Sequence, residues 1–551
     1  MSQVLINKYL KVPLLLLLLA GSLPCRAEEA PAVDSADRFA CAALKAIDFS
    51  EATGAAVRLL EVETLPAAGD QPALCRVGGF IAPQVGFELR LPVQGWNGKL
   101  LVTGCSNLCG VLQIQGMEDA RARGYATATT DMGHRSDSPA DARWAWNNPE
   151  LEKDFGHRAT HVTTLAAKEI VASYYGDKPD YSYLRGCSTG GRQGLVAAER
   201  YPDDYDGIIA GAPFNQALSV PQMAWSMAAN TGADGQPILQ HTEFELLGKA
   251  VLAACDGDDG LVDGVLGDPE TCTFKPRTLA CSAETSATGG HVKTASSCLT
   301  TAQVEAAEKI YAGPRDSQGR PWSSGGSPVG SEFMWEKLLL AQPTPTPLGK
   351  MPYFEFIVRN WSQYLAYEPD PPVPADSAGR PPVFNFDTGR QQLAATIAVA
   401  GFRPELERFR ALGGRLLVYH GWVDESLMPA HTLEYWREAE RRMGGPARLG
   451  EFARLYLVPG MLHCGGGPGA AEIDYLSALE RWVEKGEAPA ALLAHKVRNA
   501  VPSLVRQPRF PLAPATVEYT RPVYPYPGVA VYDGSGDPHT ASSFRRKPPV
   551  P

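Results

Sequence analysis

Beyond its N-terminus the 551-residue chain has no stretch of about eighteen apolar residues, so no membrane-spanning helix is expected in the mature protein. It has no basic run, and its 51 Lys plus Arg are outnumbered by 61 Asp plus Glu. A net charge of −10 without a basic patch argues against nucleic acid as a partner. No CxxC pair and no Cys/His zinc spacing occurs, which argues against a zinc site. No internal repeat is visible. What is present is ordinary globular composition, 44% hydrophobic and 20% charged. The 54 glycines and 46 prolines suggest many ordered loops rather than a helical bundle. Length alone suggests roughly three domains, although α/β enzymes often carry one large core plus an insertion.

Residues 1–27 read as a secretory signal. Lys8 and Lys11 supply the positive region, Val12 to Ala20 is a short apolar core, and small residues follow. Cleavage is expected after Ala27, with Ala20 as the alternative. The apolar run is too short for an anchored helix, and Pro24 before Cys25 speaks against a lipoprotein. Removal deletes three positive charges (Lys8, Lys11 and Arg26) and no negative one, so the net charge goes from −10 to −13. That balance disfavours adhesion to anionic membranes. Ten cysteines remain, an even number, which favours disulfides in a secreted or periplasmic protein.

An interrupted α/β pattern runs along the chain. Short strands are expected at Gly79–Ile81, Phe87–Leu91 and Lys99–Val102, then a helix from near His157 to Tyr175. A strand at Tyr181–Arg185, a helix at Arg192–Arg200 and a strand at Gly207–Ala210 follow. From about 214 the pattern gives way to Trp, Pro and Gly clusters, four cysteines and a Pro/Thr stretch at 342–348. It resumes near 386 with a strand at Arg415–His420, a helix at Thr432–Arg442, a strand at Leu455–Val458 and a helix at Glu472–Lys485. The tail from about 500 is rich in Pro and Tyr and shows little periodicity. Such alternation argues for a parallel or mixed sheet. The expected organisation is an α/β core at 28–213 and 386–551, split by an insertion at 214–385 that covers the site as a lid.

Gly186-Cys187-Ser188-Thr189-Gly190 fits G-x-S-x-G, with a strand candidate before it and a helix candidate after it. The glycines permit a tight turn that lifts the Ser188 hydroxyl above the sheet, and the helix N-terminus offers partial positive charge to an oxyanion. A structural turn is the bland alternative. The hydroxyl needs a base, and the base an orienting acid, in the chain order Ser, acid, His. Asp424 and His463 each lie in a loop just after a strand candidate, where such sheets place their sites. His420 is the rival base, but it ends a strand, where packing or hydrogen bonding would occupy it. Cys187 precedes the nucleophile and Cys464 follows the base. A Cys187–Cys464 disulfide would tie the two catalytic loops together, since a bridge needs Cα atoms about 4.4–6.8 Å apart. Two unrelated buried cysteines are the alternative.

Gly-Cys-Ser-Thr-Gly-Gly, the Asp424 loop and the His463-Cys464 pair together resemble the tannase and feruloyl esterase family, whose members include mono(2-hydroxyethyl) terephthalate hydrolase-like esterases. The likeness runs from roughly 41 to 546. It implies an α/β-hydrolase core with a large inserted lid domain, a disulfide between the neighbours of the catalytic Ser and His, and Ser188, Asp424 and His463 as the triad. It also implies hydrolysis of esters of aromatic acids.

Cys255 to Val265 packs four aspartates into eight residues, with glycines between them. Hard oxygen ligands at alternating positions suit Ca²⁺, although the twelfth-position Glu of an EF-hand is absent. The family's lid calcium loop implies Asp256, Asp259 and Asp263 as side-chain ligands and Leu261 and Val265 as carbonyl ligands. The ion is expected to be structural, since nothing puts it near Ser188; a solvated acidic turn is the alternative. Cys255 and Cys272 bracket the loop and are expected to pair, and the resemblance implies Cys41–Cys75 and Cys281–Cys298 bridges.

Two departures from the family stand out. Its C-terminal segment usually carries a cysteine bridge, but Tyr524 and Arg546 occupy those positions, so a looser tail is expected. Thr103 to Cys109 stands where the family has a Gly-rich oxyanion loop. Backbone N–H groups are the usual donors, so Thr189 and Cys105 are assigned. Cys105 and Cys109 either close a small ring or remain free thiols.

Trp225, Trp322, Trp335, Tyr353, Phe354, Phe356, Trp361, Tyr364 and Tyr367 make the insertion rich in flat side chains. Aromatic walls suit a planar acid, although most of these are expected to be core. Arg359 could meet a substrate carboxylate, but a surface or structural role is the simpler expectation. The sequence therefore reads as a secreted, Ca²⁺-containing serine esterase of small aromatic esters, with no organic cofactor and a monomer as the default. An aliphatic lipase or peptidase on the same triad is one alternative. A noncatalytic calcium-stabilised binding protein is the other.

Overall fold

Nine strands form the central sheet: β1 (Val57–Leu65), β2 (Leu74–Ile81), β3 (Val85–Pro92), β4 (Lys99–Thr103), β5 (Ala126–Thr130), β6 (Tyr181–Cys187), β7 (Gly207–Gly211), β8 (Arg415–Gly421) and β9 (Ala453–Val458). Their spatial order is β1-β2-β3-β5-β4-β6-β7-β8-β9. The pairs from β1 to β5 through β3 are antiparallel, and those from β5 to β9 are parallel. This computed structural model describes residues 41–69, 72–138, 141–282, 297–341, 351–372, 384–498 and 508–547. The expected leader at 1–27 and the Pro/Thr stretch at 342–348 lie outside the described residues.

Both faces of the parallel strands are buried, so polar residues such as Thr127, Ser182 and Arg185 are buried in them beside the apolar ones. Because successive side chains point to opposite faces, Leu100, Val102, Leu184, Ile208, Leu416 and Val418 join one hydrophobic cluster. Leu101, Tyr183, Ile209, Leu417 and Tyr419 join the other. Helix α1 (Ala159–Tyr175) and helix α2 (Thr189–Arg200) supply Ala166, Ile170 and Leu195 to the first cluster. Between β7 and β8 the chain adds no strand to this sheet among the described residues. It contains instead α3 (Gln216–Ala229), α4 (His241–Cys255) and α5 (Tyr353–Tyr364). The Trp361 indole on α5 donates to Gln216 Oε1 on α3 at 2.9 Å. Helix α6 (Pro429–Met443) follows β8, and α7 (Tyr475–Lys485) covers the second face with Leu476, Leu479 and Trp482. This is an α/β-hydrolase-type arrangement.

All five cysteine pairs are bridged: Cys41–Cys75, Cys105–Cys109, Cys187–Cys464, Cys255–Cys272 and Cys281–Cys298. Three expectations need correction. The first strand, β1, lies upstream of the strand region expected from sequence. The helix expected from Glu472 starts at Tyr475, because Glu472–Ile473 form β10 and the Asp474 carboxylate caps the Ser477 N–H at 3.1 Å.

Among its described residues the expected looser tail instead forms paired strands. β10 pairs with β11 (Leu492–Val497), β11 pairs with β12 (Val517–Val523), and β13 (Val529–Tyr532) pairs with β14 (Phe544–Lys547). Arg521 takes over the anchoring expected of a bridge. Its guanidinium stacks on Tyr519 and Phe544, at 4.3 and 4.5 Å from the ring centroids, and pairs with Asp263 at 3.0 Å. The Tyr526 N–H adds a bond to the Leu455 carbonyl on β9 at 2.7 Å.

Candidate active site

Steric exclusion shapes the serine turn as much as hydrogen bonding does. β6 ends at Cys187, Ser188 stands at φ 64° and ψ −121°, and α2 begins at Thr189. An L-residue held at such a positive φ costs about 1–3 kcal/mol. Two glycines permit the turn. A Cβ at Gly186 would lie 2.5 Å from the Gly190 carbonyl carbon, and one at Gly191 would lie 2.0 Å from the Gly211 oxygen. The Ser188 N–H donates to Gly211 O at 2.9 Å, and its carbonyl accepts from the N–H groups of Arg192 and Phe214, both at 3.0 Å. β6, α2 and the end of β7 thus hold the serine together.

Asp424 and His463 leave the carboxyl ends of β8 and β9, respectively. The His463 Nδ1 lies 2.8 Å from Asp424 Oδ2. Asp424 is fully buried, and its other oxygen accepts from the N–H groups of Ser426 at 2.9 Å and Leu427 at 2.8 Å. The Cys187–Cys464 bridge, with Cα atoms 5.9 Å apart, ties the residue before Ser188 to the residue after His463. Nδ1 faces the acid, and Nε2 is the ring nitrogen turned away from it.

His420, the rival base, has both ring nitrogens engaged. Nδ1 lies 2.8 Å from Thr432 Oγ1, and Nε2 lies 2.8 Å from the Leu427 carbonyl and 3.0 Å from Asp424 Oδ2. It packs behind the acid. Burial by itself would raise the Asp424 carboxyl, but the charge of His463 and hydrogen bonds from His420 and His463 hold it below the ordinary carboxylate range. For His463 burial opposes protonation, yet the Asp424 charge and hydrogen bond, with Glu425 adding to them, raise it above the usual histidine value.

The oxyanion donors divide. Thr189 is the first residue of α2, where helix geometry leaves N–H groups without intrahelical partners. Its side-chain hydroxyl donates to the Asn107 carbonyl. The Cys105 N–H, assigned from sequence as the second donor, is instead bonded to Gln193 Oε1 at 2.9 Å. Gln193 Nε2 is in turn fixed by Thr160 Oγ1 at 2.8 Å. Nothing in the local sequence at 103–109 points to this partner on α2. Glu425 is a second neighbour that sequence reasoning missed; its carboxylate accepts the His463 N–H at 3.1 Å. The available signal was the acidic pair Asp424-Glu425.

The aspartate loop lies directly after α4. Asp256 accepts from the N–H groups of Asp263, Gly264 and Val265 at 3.3, 3.1 and 3.2 Å. Asp259 accepts from the Leu261 N–H at 3.1 Å, while Asp263 pairs with Arg521. Burial, then the charges of Asp263 and Asp256, push Asp259 up to about 6. No group of three metal-ligating side chains converges among the described residues. Oxygen donors on a tight loop suit a hard cation, and Asp263 already holds one cationic partner. The loop also reaches the histidine loop, since a Cβ at Gly460 would lie 2.9 Å from Val265 Cγ1.

Of the flat side chains in the insertion, Trp322, Trp335, Phe354, Phe356 and Trp361 are buried core. Trp225, Tyr353, Tyr364 and Tyr367 are half-buried. Arg359 bonds Glu355 one turn back on α5 at 2.9 Å.

This sheet, with its strained serine turn and with Asp424 and His463 on the loops after β8 and β9, defines a protein built on the α/β-hydrolase plan. A model of the family described as tannase and feruloyl esterase matches residues 69–547. Mono(2-hydroxyethyl) terephthalate hydrolase of Piscinibacter sakaiensis is 33% identical, covering 93% of this chain and 92% of its own. A probable feruloyl esterase of Arthroderma benhamiae is 32% identical, over 88% and 89%. The crystal structure of feruloyl esterase B from Aspergillus oryzae shares the fold with a TM-score of 0.76 at 24% identity, covering 93% of this chain and all of that one. The chain belongs to the tannase and feruloyl esterase family and is a carboxylic ester hydrolase. Among the described residues no helix is long and apolar enough to cross a membrane.

Proposed function

We propose that the protein is an exported serine esterase of aromatic carboxylic esters, of hydroxycinnamic, gallic or terephthalic type. The observation that carries this reading is the Cys187–Cys464 bridge, which ties the residue before Ser188 to the residue after a histidine whose Nδ1 lies 2.8 Å from Asp424. His463 Nε2 takes the hydroxyl proton as Ser188 Oγ attacks the ester carbonyl carbon. The oxyanion lies against the Thr189 N–H and the α2 N-terminus. When the tetrahedral adduct collapses, the C–O bond to the alcohol breaks and the proton passes from His463 to the departing oxygen. Water then attacks the acyl-enzyme, losing its proton to His463. The acid leaves, and Ser188 recovers its proton. Asp424 keeps His463 oriented and stabilises its charged form.

The insertion between β7 and β8 acts as the lid, and its half-buried aromatic side chains are the candidates for the acyl wall. Asp256, Asp259 and Asp263, with the carbonyls of Leu261 and Val265, would hold a structural Ca²⁺. Such an ion would neutralise the loop's carboxylates and stiffen it. The signal-like N-terminus and five bridges support export, to periplasm or medium.

The test is hydrolysis of methyl ferulate, methyl gallate, chlorogenate, mono(2-hydroxyethyl) terephthalate and a short aliphatic ester by the wild type and by Ser188→Ala. Ser188-dependent turnover of one aromatic ester above the aliphatic one is expected. Preference for the aliphatic ester would move the assignment to a lipase-type hydrolase. Turnover unchanged in Ser188→Ala would remove the triad.

A further inference from the structure

The acid loop after β8 carries two consecutive carboxylates, and both reach the same histidine. Asp424 Oδ2 meets the His463 ring at Nδ1, 2.8 Å away. Glu425 Oε2 meets the His463 main chain, accepting its N–H at 3.1 Å. The next residue, Cys464, is bonded to the nucleophile strand through Cys187. His463 is therefore held by its ring, by its own amide and through its successor. The second of these holds belongs to a side chain that has no part in the proton relay.

Glu425 is a costly residue for a mere loop acceptor. It is half-buried, and no lysine or arginine forms an ion pair with it among the described residues. Burial, and after it the adjoining Asp424 charge, push its carboxyl above the usual glutamate value. A neutral side chain would accept the same N–H without that penalty. What a carboxylate adds is negative charge within electrostatic reach of a ring that becomes positive in the reaction. The ionisable groups around this ring are few. Asp424 and Glu425 face His463 from the β8 loop, His420 at the end of β8 faces Asp424 from behind, and Tyr353 at the start of α5 lies near both acids. The nucleophile turn presents only the bridged Cys187, which does not titrate.

We infer that Glu425 is a positioning residue of the ester hydrolase, fixing the main chain of His463 and lending a second negative charge to the imidazolium formed during turnover. This rests on the triad reading, in which His463 is the general base. Glutamine and alanine separate the two roles, because Glu425→Gln keeps an amide oxygen to accept the N–H while Glu425→Ala removes both acceptor and charge.

The general base must be neutral to take the serine proton, so kcat/KM rises with pH through the His463 pKa. A nearby negative charge raises that pKa, and its removal moves the acidic limb to lower pH. In Glu425→Gln the limb of kcat/KM is expected to move down by about half a pH unit or more, with kcat on the plateau within about twofold of wild type. In Glu425→Ala the limb moves similarly and plateau kcat falls about tenfold, with KM little changed, because a base displaced by a fraction of an ångström loses alignment. A limb unmoved in Glu425→Gln overturns the electrostatic role. Plateau kcat unchanged in Glu425→Ala overturns the positioning role. Near-ultraviolet circular dichroism of Glu425→Gln, which keeps the hydrogen bond, checks that the fold is intact. Ser188→Ala, measured alongside, reports on the triad itself: wild-type turnover in that variant would mean the triad reading had failed, whatever Glu425 does.

Discussion

Replacing Cys187 and Cys464 together with alanine opens a covalent ring whose ends are 277 residues apart. The chain-entropy account of cross-links gives about 5.5 kcal/mol for a loop of that length at 25 °C. The Cys255–Cys272 and Cys281–Cys298 bridges lie inside the ring, each spanning 17 residues, and shorten its free length only slightly. Because the dependence is logarithmic, the figure barely changes. Measured bridges deliver about 2–5 kcal/mol, so a loss of about 3–5 kcal/mol is expected, seen as a lower urea midpoint. The catalytic effect is separate. Ser188 and His463 each adjoin the bridge, and a misplacement of about 1 Å costs about a hundredfold in rate. The assay is kcat and KM on methyl ferulate, or on whichever ester the panel selects, together with phosphonate labelling of Ser188. An expected kcat near one hundredth of wild type with KM little changed fits a loosened base. A double variant that keeps both its urea midpoint and its kcat would refute the reasoning, because neither the ring entropy nor the tie would then matter.

Asp424→Asn should lower kcat by about 10⁴-fold, since an amide favours the wrong histidine tautomer, and steady-state hydrolysis measures it. The raised His463 value predicts an acidic limb of kcat/KM with its midpoint above 6.5, the ordinary histidine value. The linked stability has opposite senses. The His463 contribution is full below its unfolded pKa and fades as pH rises through the folded value; the Asp424 contribution is full above its unfolded pKa and fades as pH falls through the folded one. Urea midpoints across pH test both. Treatment with EDTA should lower the thermal midpoint, and added Ca²⁺, rather than Mg²⁺, should restore it. Asp259→Asn should blunt that recovery.

The serine turn was legible because everything that makes it is local: a strand, two glycines that clear Gly190 and Gly211, and a helix start. Asp424 and His463 were legible from their places after β8 and β9. What escaped depends on distant partners or broken periods. β1 pairs with β2 through a register shift between Leu59 and Glu61, which blurs its alternation. Arg521 anchors the tail through Asp263, 258 residues away in sequence, a contact that no local pattern announces. The Cys105 N–H looked free because its acceptor, Gln193, stands on another element. Glu425 was hidden beside a better-known acid.

The backbone of Ser188 has a consequence for how this enzyme could be evolved. At φ 64° the serine carries strain that glycine would not, so Ser188→Gly should gain about 1 kcal/mol after glycine's own entropic cost is deducted. The same change abolishes the nucleophile. Heat resistance and turnover are thus opposed at one residue. A library sorted only by survival of heating would enrich inert chains at position 188, while selection for released acid would preserve the contorted turn. Thermostabilising this scaffold therefore requires a screen that demands catalysis in every round.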